Sequence, residues 1–343
     1  MNIRLPGVRL AAAIGVALAA ISLAACGQKQ DALQPGQKSR LDLMLDFYVN
    51  PDHAGLLVAE RLGYFDRAGL DVMTRVPSDP AAPIRQVAAG RADLAISYEP
   101  EVVTARSRGL PVKAIAAIVD QPLTSLIWLP GSGIEDPRDL SGKTVATAGI
   151  PYQSDYLVTI LETAGVPPAS VDEVSVGLGL LPALLGGRAD AILGGFRNVE
   201  GVQLQQMGDD PTVLPVDRIG VPTYDELVIV ASDQTIEERG EELGLFISAL
   251  AKGTSAAISD PALATRAVLN AGKGLDPALT AAQVSATLPL LRGSSGSPYG
   301  WMNSNEWANF SAWMKAKGQI DELPETSDLF TTDFLPPERG RSG

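Results

Sequence analysis

The chain has 343 residues, 45% apolar and 20% charged, which is the balance of a folded globular protein with length enough for two domains. With 27 Lys and Arg against 40 Asp and Glu, the formal charge is −13, and this excludes an electrostatic grip on nucleic-acid phosphates. One Cys excludes an internal disulfide, and one His excludes a His-rich metal centre.

Arg4 and Arg9 precede an unbroken run of small and apolar residues over 10–22. That run is shorter than the ~20 residues a bilayer span needs, so residues 1–25 are expected to be a signal peptide. Leu23-Ala24-Ala25-Cys26 resembles a bacterial lipobox, whose Cys becomes the lipidated first residue of the mature chain. Residues 26–40 are polar with Gly and Pro and read as a flexible tether. The expectation is a protein outside the cytoplasm, held to a membrane by a lipid at Cys26.

From residue 41 the pattern alternates. A short strand over 41–45 leads to a helix over 54–62, a strand over 70–76, a helix over 83–89 and a buried strand over 94–97. The rhythm resumes with strand 144–148, helix 155–164, strand 171–176, helix 180–185 and strand 191–193. This predicts an α/β fold with mostly parallel sheets flanked by helices. Gly90-Arg91-Ala92-Asp93 and Gly187-Arg188-Ala189-Asp190 each sit between a helix and a strand, 97 positions apart, so two similarly built lobes are expected. Leu126-Ile127-Trp128-Leu129 and Leu227-Val228-Ile229-Val230 read as extended crossovers. Lobe one then comprises 41–127 and 228–335, lobe two 128–227, and 336–343 is a disordered tail. Beyond 228 the pattern is mostly helical, with Trp307, Phe310, Trp313 and Met314 on one face for packing.

Ligands of open parallel sheets bind beyond the C-terminal strand ends. The residues there are Asp46, Phe47, Tyr48, Asn50 and His53 after the first strand, and Tyr98, Glu99 and Glu101 after the third. In lobe two they are Tyr152 within the loop 149–155, then Phe196, Arg197, Asn198 and Glu200; Tyr224, Asp225 and Glu226 lie at the return crossover. The set is aromatic and acidic, with Arg197 its obvious cation. Aromatic faces stack flat rings and carboxylates accept hydrogen bonds from amino groups, so the cleft suits a flat amino-heteroaromatic and suits an anion poorly. There is no Gly-x-Ser-x-Gly elbow, no phosphate-binding loop and no Cys/His metal spacing, and Gly177-Leu178-Gly179 lacks its third glycine. No catalytic residue, metal or cofactor is expected.

Asp46-Phe47-Tyr48-Val49-Asn50-Pro51-Asp52-His53-Ala54-Gly55, with Gly63-Tyr64-Phe65 and Gly69-Leu70-Asp71-Val72, resembles the opening of the thiamine-pyrimidine-precursor family of bacterial solute-binding proteins. So do Ser97-Tyr98-Glu99-Pro100-Glu101, the run Gly194 to Gly201, and Tyr224-Asp225-Glu226-Leu227. The resemblance spans about residues 41–320. It departs at Phe47, where Trp is frequent, and at Arg197, where another aromatic is frequent. It implies a two-lobed type II periplasmic binding fold with two crossover hinge segments, closing on a small molecule and delivering it to an ABC permease with its ATPase. By it, Asp46, Asn50, Tyr98 and Glu99 bind from lobe one, Phe196, Asn198 and Glu200 from lobe two, and Tyr224 and Glu226 near the hinge. The function expected is a monomeric, lipid-anchored binding protein for a thiamine pyrimidine precursor. The alternatives are riboflavin or another heterocycle, a sulfonate- or nitrate-type anion, and an enzyme of pyrimidine synthesis.

Overall fold

Residues 38–293 and 297–337 are described by the computed structural model. The expected signal peptide, Cys26, most of the tether and the tail from 338 onward lie outside them. Strands of four to eight residues alternate with helices in the order β1 (Ser39–Met44), α1 (Ala54–Arg61), α2 (Tyr64–Arg67), β2 (Leu70–Arg75), α3 (Pro83–Ala88), β3 (Leu94–Ser97), α4 (Glu99–Ser107) and β4 (Val112–Val119). A second series follows: β5 (Thr124–Trp128), β6 (Thr144–Thr147), α5 (Pro151–Ala164), β7 (Asp172–Ser175), α6 (Leu180–Leu185), β8 (Ala191–Phe196), α7 (Glu200–Gln206) and β9 (Thr212–Pro215). The chain closes with β10 (Leu227–Ser232), α8 (Asp233–Ser259), α9 (Pro261–Ala271), α10 (Pro277–Thr287), α11 (Ser304–Ala316) and α12 (Thr326–Leu329).

The strands form two five-stranded sheets of matching order, β2-β1-β3-β10-β4 and β7-β6-β8-β5-β9. Each sheet is mixed. The first three strands of each pair in parallel, and the fourth, β10 or β5, runs antiparallel to both its neighbours. The stretch read as a crossover at 126–129 therefore needs correcting. Thr124–Trp128 is a strand of the second sheet, buried at every position, so the chain passes between sheets at 120–123, ahead of the expected 127/128. Leu227–Val230 likewise lies inside β10, also buried throughout. A strand enclosed on both faces shows an unbroken apolar run rather than alternation, so its sequence resembles that of a connector.

The repeated Gly-Arg-Ala-Asp has one structural job in both places. Gly90 and Gly187 take φ of +65° and +67° to end α3 and α6, a conformation that side chains resist. Asp93 Oδ2 then accepts the Asp42 backbone N–H at 2.7 Å, and its own N–H donates to Asp42 O at 3.0 Å. Asp190 does the same to Thr144, with both distances 2.8 Å. Each Asp thus pins the central parallel strand of its sheet. Helix α5 starts at Pro151, four residues ahead of the expected 155, because proline at the first helical turn costs no hydrogen bond.

Helix α8 packs on α1 through a glycine notch: a Cβ on Gly253 would stand 2.2 Å from Gly55 O, and one on Gly55 2.1 Å from Thr254 Oγ1. Gly55 of the opening motif is therefore needed for this close approach. Trp307, Phe310 and Met314 of α11 are fully buried, as their spacing predicts, while Trp313 is half-buried.

Candidate functional site

Beyond β1 the chain turns through a 3-10 segment, Pro51–His53, which Asn50 caps by accepting the Asp52 N–H on Oδ1 at 2.8 Å. The Asn50 N–H donates to His53 Nδ1 at 3.2 Å. His53 Nε2 is then the nitrogen that carries the proton, and it donates to Asp46 Oδ1 at 2.8 Å. Tyr98, arriving from β3, donates its hydroxyl to Asp46 Oδ2 at 3.0 Å. Asp46, Asn50, Asp52, His53 and Tyr98 are all buried. The local sequence builds this directly, because the cap orients the imidazole and the imidazole fixes the carboxylate.

The second lobe contributes through the loop after β8. Asn198 Nδ2 donates to Asp52 Oδ1 at 2.7 Å and to Thr287 Oγ1 at 2.8 Å, while Gln283 Nε2 donates to Val199 O at 3.0 Å. Glu200 accepts the Phe196 N–H at 2.7 Å. Tyr152, from the first turn of α5, sets its ring 5.7 Å from that of Tyr98, edge to face. Contacts at 5.0, 5.7 and 5.1 Å continue through Tyr156 and Tyr224 to Phe310, giving a row of rings that joins the two lobes and the return crossing.

Acceptors outnumber donors here. Burial raises Asp52 to about 7, reinforced by the charges of Asp46 and Glu200 and opposed by His53 and the Asn198 hydrogen bond. Burial likewise raises Glu200 to about 7, against its backbone N–H donors. Glu101 also reaches about 7 through burial, against the Ser97 hydroxyl that donates to it at 2.7 Å. Asp52 Oδ2 and Asn198 Oδ1 are buried with no hydrogen-bond partner among the described residues. Leaving such atoms unmade costs on the order of 1–3 kcal/mol each, so a group rich in N–H donors would be well received here.

The other expected residues lie as follows. Phe47 is half-buried and meets Tyr48 edge to face at 5.4 Å, with Tyr48 itself 53% exposed. Phe196 is buried, and Arg197 donates to Gln121 Oε1 at 2.7 Å. Glu99 turns toward the return crossing, where its Oε2 accepts the Asp225 N–H at 2.7 Å; burial and the Asp225 charge push it well above the usual range. Asp225 accepts the Trp307 indole N–H at 2.7 Å and is raised by burial to about 7. Glu226 ties the two crossings together, accepting from Leu123 N–H, Thr124 N–H, the Thr124 hydroxyl and the Tyr224 hydroxyl at 2.7–2.9 Å. The geometry thus brings together Asp46, Asn50, His53, Tyr98, Tyr152, Asn198 and Glu200. It holds Glu99, Tyr224 and Glu226 at the crossings and leaves Tyr48 at the surface.

Sequence reasoning missed Asp52, Thr287 and Gln283. Asp52 had a signal, being the acid of Asn-Pro-Asp-His inside a turn that presents its neighbours inward. Thr287 and Gln283 had none, since Thr287 lies 89 residues beyond Asn198 and nothing local marks α10 as a wall of the site.

Two similarly wired α/β lobes joined by two crossings, with a buried acidic and aromatic cluster between them, define the periplasmic binding protein fold. The alkanesulfonate-binding protein SsuA from Xanthomonas axonopodis pv. citri superposes with a TM-score of 0.69 at 14% identity, covering 88% of this chain and 100% of that one. Residues 50–264 match the family described as NMT1/THI5 like, and the chain belongs to that family. It is 34% identical over 324 residues to the formylaminopyrimidine-binding protein of Halalkalibacterium halodurans, covering 93% of this chain and 97% of that one. It is also 26% identical over 302 residues to a protein of Legionella pneumophila named 4-amino-5-hydroxymethyl-2-methylpyrimidine phosphate synthase, covering 87% and 93%.

Proposed function

We propose that this chain is the solute-binding component of an ABC importer, working outside the cytoplasm and capturing an amino-bearing heteroaromatic of the thiamine-pyrimidine kind. The observation that carries this reading is the buried acceptor cluster of Asp46, Asp52, Asn198 and Glu200, drawn from both lobes and holding two unpartnered oxygens. An exocyclic amine supplies the donors that cluster lacks, and the tyrosines offer ring faces. The name of the Halalkalibacterium relative supports the same ligand class. The lobes, residues 41–119 with 227–335 and residues 124–215, close as a hinge on the crossings at 120–123 and 216–226. Cys26 carries the lipid anchor after loss of residues 1–25, the protein acts as a monomer, and a permease with its ATPase receives the solute.

A binding role is favoured over synthesis by His53, because both ring nitrogens are already engaged, by the Asn50 N–H and by Asp46. The test is thermal melting of the purified full chain against 4-amino-5-hydroxymethyl-2-methylpyrimidine, riboflavin and taurine. At 100 times its dissociation constant a true ligand adds about 2.7 kcal/mol, a shift of a few degrees. A shift with the aminopyrimidine is expected; a shift with taurine alone overturns the ligand class. Glu200→Gln is expected to weaken the aminopyrimidine by about 1.5–3 kcal/mol, the worth of a charged hydrogen bond, and an unchanged dissociation constant by calorimetry removes Glu200 from the site.

A further inference from the structure

Four strands, β2, β4, β7 and β9, stand at sheet edges, where a row of N–H and C=O groups is open to another chain. Three of them carry their own deterrent. β2 has exposed Asp71 and Arg75, and β7 opens with exposed Asp172 and Glu173. β9 follows Pro211 and closes on Pro215, neither of which has an N–H to offer. β4 has no such device. Its eight residues, Val-Lys-Ala-Ile-Ala-Ala-Ile-Val, are buried apart from half-buried Lys113 and include neither proline nor glycine, the make-up of a segment that pairs readily.

What covers this edge is a later part of the same chain. Residues 326–335, beginning with α12, run beside β4: Phe330 and Ala114 form a parallel bridge, and the Thr331 N–H donates to Ala114 O at 2.9 Å. Lys113 Nζ donates to Ser327 O at 2.9 Å and stands 3.9 Å from Asp328, so the strand's one charge is occupied as well. Farther along, the Ala117 N–H donates to Gly300 O at 3.0 Å. Gly300 is held between the strand and the strap, since a Cβ there would stand 2.9 Å from both Ala116 Cβ and Leu335 Cδ2. Apolar anchors fasten the strap. Leu329 is fully buried, the Phe330 ring meets Trp307 at 5.0 Å, and Phe334 lies against Gly240 of α8. Its backbone pairing to β4 is a single bridge, whereas β10 pairs with β4 along the length of both strands, so the strap can lift without unpicking the sheet.

We propose that residues 326–335 are a detachable guard over β4, and that with the guard lifted this strand pairs with β4 of a second copy of the chain. A strand meeting itself across a two-fold axis runs antiparallel, and that pairing closes after two chains. The guard therefore decides whether the protein stays single. This inference is independent of the ligand proposed above.

Size-exclusion chromatography with light scattering, over a range of protein concentrations, tests it on the full chain and three variants. These are the double substitution Phe330→Ala, Thr331→Pro, a chain ending at residue 325 and a chain ending at residue 337. The double substitution removes the ring contact with Trp307 and the N–H that bonds Ala114, and the extended backbone of Phe330, with φ of −151° and ψ of 167°, accepts a following proline. The full chain and the chain ending at 337 are expected to be monomers. The double variant and the chain ending at 325 are expected to show a doubled mass whose share grows with concentration. An excess of a peptide of residues 326–337 should return the chain ending at 325 to the monomer. A double variant that melts cooperatively and stays monomeric at every concentration overturns the proposal. Association that runs past the dimer, or that the peptide does not reverse, also overturns it, because the strap would then be ordinary core packing.

Discussion

Asp52 shows how one buried carboxyl can set the behaviour of a site. Its ordinary value is 3.8, and burial near Asp46 and Glu200 lifts it to about 7; Glu101 and Glu200 rise from 4.5 to the same level. Between about pH 4 and 7 the folded protein therefore binds more protons than the unfolded chain at these three positions. The stability they contribute is complete below the unfolded values and is lost as pH rises through 7. The ligand-free chain is expected to melt about 5 °C higher at pH 5 than at pH 8, read by calorimetric scanning at fixed ionic strength. A flat profile would mean that these carboxyls titrate as they do in water. None of this is legible from residue type, because Asp52 and the exposed Asp71 look alike until the fold removes water from one of them.

At the scale of elements, the two Asp clamps explain why Gly-Arg-Ala-Asp occurs twice. Each accepts a backbone N–H of the central parallel strand of its sheet, and Asp93 is also paired with Arg239 of α8 at 2.8 Å. Asp190→Ala is expected to cost about 1–3 kcal/mol in urea unfolding, and Asp93→Ala more, since it also takes the 2.8 Å ion pair from half-buried Arg239, leaving it Ser39, the Arg40 carbonyl and the more distant Glu242. Equal costs would show that Arg239 gains nothing from its partner. The βα rhythm, the repeat and the position of Asp46 and Tyr98 after their strands were all legible, because each follows from local periodicity. Strands β5 and β10 were not, because enclosure on both faces erases the alternation by which a strand is recognised. The link from Asn198 to Thr287 was hidden for another reason: it joins elements that only the closed fold brings together.

At the scale of the whole molecule, Asn198 bridges the lobes at the site through Asp52 and Thr287, beside the Gln283 bond to Val199 O and the outlying Lys317–Glu162 pair. A ligand's apparent affinity falls with the fraction of protein in the competent, closed arrangement. Asn198→Ala removes two hydrogen bonds, about 1–3 kcal/mol of closure, so the ligand-free variant is expected to show a larger radius of gyration by X-ray scattering and about tenfold weaker aminopyrimidine binding. Superimposable scattering curves would mean that closure does not depend on this link.

The exchange of strands at the crossings also dictates the order in which the chain can fold as it is made. Every strand of the second sheet lies within 124–215, but the first sheet waits for β10, which separates β3 from β4. A ribosome working from the N-terminus thus releases the first lobe's parallel strands early, then completes the second lobe while β3 and β4 still have unpaired edges. Such edges invite pairing with other chains. A chain stalled near residue 220 would carry one finished lobe and one open one. The lobe begun first is finished last, so the exposed interval for this protein spans about a hundred residues of synthesis, from the end of β4 to the arrival of β10.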